Sequence, residues 1–501
     1  MEANRIRKIV FDNEITLWWE RVILPQDGVF EIAVNGKIHG KTTKTHYRLL
    51  GLSPETVYRV DISIVDHGGA VVEEFGAVTV KTVKAKKFID VTKAPYFAVG
   101  NGKTINTVAI QRALDDCGAD ESVYIPAGVF LTGALDVHSD TEIYLEKGSV
   151  LQGTTNVKDY APKRWSRFEG IEMECYASLI NIGKLDHKAD CTTKNIIFRG
   201  YGTISGGGVD LAWAIIDAEK IRMKTEARNF AEANRNVECE FTIPGRARGR
   251  LISVNNCQNV IFSGITMQNG PAWNIHTVYS KNITACHCKI LSKGVWNGDG
   301  WDPDSSENCV VFDTDFETHD DAIAIKSGKN PEGNIVNRPA KNIYAFDCRG
   351  SNGITIGSEM SGGVENVYIW DCDMGDAYSG FTVRMPKERG GFIRNVHISN
   401  CRLATLYVLT KINFNNDGQS AQTVPVFEDF FMENIEVIGI SIEKGVYNVV
   451  SPIKISGFSD AEPIRNVKLN NILLHKRANG ELPDLEIKHV ENFVVDGLRY
   501  E

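Results

Sequence analysis

From Asn195 to the C-terminus one short unit recurs: an Asn, a run of alternating apolar residues, a polar break and a second short run. The units open with "NIIFRGYGTI" at Asn195, "NVIFSGITMQ" at Asn259, "NITACHCKIL" at Asn282, "NCVVFDTDFE" at Asn308, "NIYAFDCRGS" at Asn342, "NVYIWDCDMG" at Asn366 and "NVHISNCRLA" at Asn395. They continue from Asp429, Asn466 and Asn492, and after the first gap the intervals are 23, 26, 34, 24, 29, 34, 37 and 26 residues. A strand, a turn and another strand at this period cannot bury an apolar face alone, so the units stack. The expected fold is all-β, a right-handed parallel β-helix in which the longer intervals are loop insertions. The recurring Asn marks a turn and can bond its neighbour in the next coil. Cys288, Cys348, Cys372 and Cys401 each fall six residues after their Asn, which reads as an interior stack of small side chains and not as a metal site.

A chain of 501 residues exceeds one ordinary domain, but a solenoid grows coil by coil. Residues 86–501 are assigned to it. Within them, 104–117 have helical spacing at Ile105, Val108, Ala109, Ala113 and Cys117, suiting a helix that caps the first coil. A helical insertion is expected near 209–240. Residues 1–85 differ: short alternating runs separated by Gly, Pro, Asp and Asn predict an antiparallel β-sandwich. There Leu52, Pro54, Thr56 and Tyr58 resemble the tyrosine corner of fibronectin type III domains, in which the hydroxyl returns to the backbone upstream. Of the adjacent Trp18 and Trp19, one points into the core by alternation.

The net charge of −9 argues against nucleic acid as a partner. No run is long and apolar enough to span a bilayer, so no membrane partner is expected. The N-terminal stretch does not read as a signal peptide, and the 11 cysteines lack CxxC spacing. Together these predict a cytoplasmic protein, or a secreted or periplasmic one if a leader has been trimmed. Oligomeric state is left open.

Two acidic stretches stand out, "NGDGWDPDSS" (Asn297–Ser306) and "HDDAIAIKSG" (His319–Gly328). Asp299 precedes Asp320 by 21 residues and Asp321 by 22, about one coil. Residues one coil apart stand about 4.8 Å apart on one face, so the three acids can meet. Asp320 and Asp321 would point to opposite faces of a regular strand, so the backbone at 319–321 must leave strand geometry.

These segments resemble glycoside hydrolase family 28, the polygalacturonases and rhamnogalacturonan hydrolases of pectin breakdown. The resemblance covers roughly residues 88–501. It rests on "NGKTINTVAIQRALDDC", "RGRLISVNNCQNVIFSGITMQNGPAWNIH", "NGDGWDPDSS" and "HDDAIAIKSG". It implies an inverting hydrolase without metal or cofactor, with Asp320 as general acid and Asp299 and Asp321 holding the attacking water. Asn297, His276, Lys326 and Arg384 are the implied substrate-side residues. Two motifs depart from the family: Asn352 stands at a histidine position, and Pro386 at a lysine position next to Lys387. Arg248, Arg250 and Arg389 are further candidates for a basic groove in an acidic protein.

The implied substrate is a pectic oligosaccharide, and the implied action is cleavage of galacturonosyl linkages from chain ends. A rhamnogalacturonan-type hydrolase with a neutral leaving sugar is the alternative, because Asn352 and Pro386 remove charge. From other classes, a Ca²⁺-dependent pectate-lyase β-helix and an inactive carbohydrate-binding β-helix remain open.

Overall fold

The computed structural model describes residues 5–226, 239–410, 418–443, 445–477 and 479–501. The chain divides into two units, Met1–Phe88 and Ile89–Glu501.

In the first unit, strands Ile6–Val10, Glu14–Trp19 and His46–Leu50 form one antiparallel sheet. Lys37–Thr42, Val29–Val34, Val57–Val65 and Val71–Lys81 form a second. Alternation sends Ile15, Leu17 and Trp19 of one sheet and Phe30, Ile62 and Val80 of the other into a shared core. Trp19 meets Phe30 edge-on at 4.9 Å. Trp18 points to the other face, under the Arg7 guanidinium at 4.4 Å. The Tyr58 hydroxyl accepts the Ser53 amide at 2.9 Å, tying the strand start back to the preceding turn. The unit is a small β-sandwich.

The second unit is a parallel β-helix. Eleven short strands, from Leu135–Val137 to Glu486–Lys488, follow chain order in one sheet, every pair parallel. Longer strands such as Glu307–Glu317 and Ala340–Gly350 build the other walls. Each coil places Ile, Val, Leu or Cys inside: Ile283, Cys309 and Ile343 are in register and buried. Cys288, Cys348, Cys372 and Cys401 lie in the same core.

The repeated Asn has a double role. Asn195, Asn259, Asn282, Asn308, Asn342, Asn366 and Asn395 all sit at φ between 55° and 60°, the left-handed region that Asn tolerates better than other side-chain-bearing residues. The Asn195 side-chain amide donates to Asp140 at 2.7 Å, and from Asn259 to Asn395 each donates to the Asn of the coil before, as in Asn308 to Asn282 at 3.1 Å and Asn342 to Asn308 at 2.9 Å. We expect Asn308→Ala to cost about 1–2 kcal/mol, through the turn conformation and two ladder bonds. A shift of the urea midpoint to lower concentration measures it.

Two helices differ from expectation. The cap runs Thr107–Asp116 and buries Ile110, Ala113 and Leu114, whereas Ile105 and Val108 are exposed. Ile105 ends a strand and Val108 lies in the first helical turn, so the buried stripe starts at Ile110. The inserted helix spans Gly208–Glu226, and residues 227–238 of the expected insertion lie outside the described residues. It buries Leu211 and Ile215, and Lys163 pairs with its Glu219 at 2.6 Å.

Candidate active site

The two acidic stretches are zipped together by backbone. Gly300 N–H donates to the Asp321 carbonyl at 2.9 Å, and Trp301 N–H to Ala322 at 3.1 Å. The strands Trp301–Asp304 and Ile323–Ile325 then pair in parallel. Gly300 is required by this approach, since a Cβ there would lie 2.4 Å from the Ala322 carbonyl oxygen. Residues 318–322 belong to no strand, with bends at 319 and 320, so the adjacent acids are not forced onto opposite faces. The next coil pins this bend: the Asn352 side-chain amide donates to the Thr318 carbonyl at 2.8 Å, and the Thr318 amide to Ser351 Oγ at 3.1 Å.

Asp299, Asp320 and Asp321 each offer a carboxylate oxygen, the three lying within 4.8 Å of one another. They line a cavity of about 980 Å³, large enough for more than one sugar ring. Asp321 is buried, accepts Thr355 Oγ1 at 2.7 Å and is paired with Arg384. Asp299 is buried beside Lys326, whose ammonium lies 3.6 Å from Asp299 and 3.5 Å from Glu359. Asp320 is the half-buried member, and accepts the Asp321 amide at 3.0 Å.

Burial, then the charges of Asp302 and Asp320, pushes the Asp299 carboxyl well above the usual range. Burial and Asp320 also raise Asp321, against the pull of Arg384. Burial works to lower Lys326, but Glu359, Asp302 and Asp299 outweigh it, so the ammonium stays charged. Carboxyls this close titrate together, and the cluster retains a proton well above the normal carboxylate range. A site that keeps both a proton to donate and carboxylates to orient water suits acid–base hydrolysis.

The sequence profile of glycosyl hydrolases family 28 matches residues 117–476, a span that contains every group just described. The chain belongs to glycosyl hydrolase family 28. It is 26% identical to the exo-poly-alpha-D-galacturonosidase of Dickeya chrysanthemi, covering 92% of this chain and 82% of that one. It is 27% identical to an endo-polygalacturonase of Pectobacterium carotovorum, over 73% of this chain and 84% of the relative. In fold it matches a family 28 exopolygalacturonase of Yersinia enterocolitica with a TM-score of 0.80, 22% identity and 99% coverage of both chains. An exopolygalacturonase of Thermotoga maritima gives a TM-score of 0.65 at 23% identity, covering 82% of this chain and 92% of that one. As a family 28 member the chain is a glycoside hydrolase.

Within this family 28 cavity, Asn297, Lys326, Asn352 and Arg384 join the three acids in the lining. The structure places two expected residues elsewhere. His276 is fully buried beneath the floor, its Nε2 3.2 Å from Asp304, and burial lowers its pKa to about 4. Asp304 is drawn down to about 2 by Arg167 and His276 against the cost of burial, so this layer is a fixed support. Lys387 bonds Glu462 at 2.7 Å and does not line the cavity. Of the further arginines, Arg389 is buried on the Ser358 carbonyl and Asn330, and Arg250 on the carbonyls of Arg248 and Arg167. Among the described residues, neither they nor any residue of the inserted helix lines the cavity.

Sequence reasoning missed Asp302. It is fully buried, in register with His276, and neither of its carboxyl oxygens has a hydrogen-bond partner. Burial raises it well above the usual range despite Lys326 nearby. Its position in a motif was visible, but its burial was not. An acid whose folded pKa is raised destabilises the fold as pH climbs above its unfolded value of about 4. Asp302→Asn is therefore expected to raise Tm at neutral pH, with the gain shrinking to nothing as pH falls toward about 4. Thermal scans across that range check it.

Proposed function

We propose that this chain hydrolyses galacturonosyl linkages in pectin-derived oligosaccharides, working from chain ends. The observation that carries the reading is the meeting of Asp299, Asp320 and Asp321 in one cavity, flanked by Lys326 and Arg384. The names of the Dickeya and Yersinia relatives support both the substrate class and the exo mode.

In this reading Asp320, the least buried of the three, donates its proton to the glycosidic oxygen. Asp321, held by Thr355 and Arg384, orients with Asp299 the water that attacks the anomeric carbon. The product then has the opposite anomeric configuration. Carboxylate oxygens of all three lie within 4.8 Å of one another, closer than the ~6.5–9.5 Å common between the two carboxyls of inverting enzymes. Inversion here rests on the roles of three acids and not on the separation of two.

A second reading, a neutral sugar on the leaving side, is favoured by one observation. Lys387 is turned to Glu462, and Pro386 beside it offers no donor, so Arg384 acts without a second cation from this segment. A time course on oligogalacturonides and rhamnogalacturonan oligosaccharides, resolved by size, tests both. Early accumulation of one short product from oligogalacturonides supports exo cleavage. A ladder of sizes contradicts it, and preference for the rhamnose-containing substrate favours the second reading.

A further inference from the structure

The rim of the cavity on the side of the earlier coils is built around a residue from outside it. Arg248 is fully buried and its guanidinium donates four times. Nε reaches the Gly245 carbonyl at 2.7 Å, Nη1 reaches Trp296 at 2.7 Å and Pro271 at 3.2 Å, and Nη2 reaches Asn297 Oδ1 at 2.6 Å. The same guanidinium lies 4.6 Å from the centre of the Trp296 ring. Trp296 and Asn297 are both half-buried and both line the cavity, three and two residues before Asp299.

Two consequences follow from donor chemistry. Arginine has no acceptor, so the Asn297 amide must present its oxygen to Arg248. Its two N–H donors are thereby turned away from Arg248, and the orientation is not free to flip. The indole is likewise fixed, with a planar cation on one side and Gly245 beneath it, where a Cβ would come within 2.8 Å of the ring. A rigid aromatic surface next to oriented donors is how proteins hold a pyranose, by stacking its apolar C–H face and bonding its oxygens.

We propose that Trp296 and Asn297 form a sugar subsite on the earlier-coil side of Asp299, and that Arg248 is the positioning residue that sets both. The ring stacks on Trp296 and Asn297 donates to a hydroxyl or carboxylate oxygen of the same unit. Because the pair is already ordered, little conformational freedom is lost on binding. The ligand class rests on the galacturonosyl reading above.

Calorimetric titration of digalacturonate and trigalacturonate into the Asp320→Asn protein tests this with turnover suppressed. Adding Trp296→Ala should weaken binding about tenfold, Trp296→Phe less, and Asn297→Asp at least tenfold, since a carboxylate there keeps the Arg248 bond but repels an acidic sugar. Arg248→Met should reproduce both losses together. Tm measured alongside separates these effects from unfolding. Unchanged affinity in folded Trp296→Ala and Asn297→Asp would overturn the subsite. No binding of either oligogalacturonide to the parent protein would instead overturn the substrate reading, and binding of a neutral-sugar oligosaccharide that Trp296→Ala weakens would keep the subsite while replacing its ligand.

Discussion

Replacing Asp320 by Asn is expected to lower kcat on oligogalacturonides by about 10²–10⁴-fold while leaving their binding within a few-fold. Asparagine keeps the side-chain oxygen that accepts the Asp321 amide, so the bend between Thr318 and Ala322 is preserved. What it lacks is a proton to give to the leaving oxygen. It also removes one of the negative charges that raise Asp299 and Asp321, so the remaining pair ionises at lower pH and the acidic limb of the residual rate moves down. Steady-state rates across pH, together with calorimetric titration, separate the two effects. Retention of full activity would remove Asp320 from the role of acid.

Arg384→Met is expected to damage both stability and rate. Asp321 is 6% exposed and Arg384 23%, so removing the guanidinium strands a largely buried carboxylate that keeps the Thr355 hydrogen bond and the attraction of Lys326. Breaking such a pair costs several kcal/mol in a dry interior, and with Arg384 partly solvated we expect about 2–4 kcal/mol. The sign with pH follows from Asp321. Without Arg384 its folded pKa climbs further, so the variant loses most stability at high pH and recovers as Asp321 protonates on acidification. The rate falls too, because a protonated Asp321 no longer orients water. A pH-independent change in Tm would show that Arg384 does not compensate Asp321.

Much of this site is legible in the sequence because a β-helix turns chain spacing into distance. The 21-residue step from Asp299 to Asp320 is one coil, and the demand for a break at 319–321 follows from strand alternation alone. The Asn repeat is legible for the same reason, as a turn residue with a neighbour above and below. What spacing does not disclose is which strand face a loop covers, or where a long side chain ends. Asp302 stands in a recognised motif, yet its lack of partners depends on the packing over its strand. Lys387 sits beside the expected lysine position, yet its ammonium finds Glu462, 75 residues away. Arg248 was visible only as a possible basic-groove residue, and its four carbonyl and amide acceptors come from three separate segments. Val108 misled because helical periodicity gives a face only once the first helical residue is known.

In the proposed reaction, three carboxyls from neighbouring coils hydrolyse a galacturonosyl bond. Proton NMR of freshly cleaved trigalacturonate tests it most directly. We expect saturated products whose new reducing end forms first as the anomer opposite to the bond cleaved, appearing in EDTA and lost in Asp320→Asn. An unsaturated uronate that requires Ca²⁺, a product that retains its configuration, or no cleavage by the unmodified protein would contradict it.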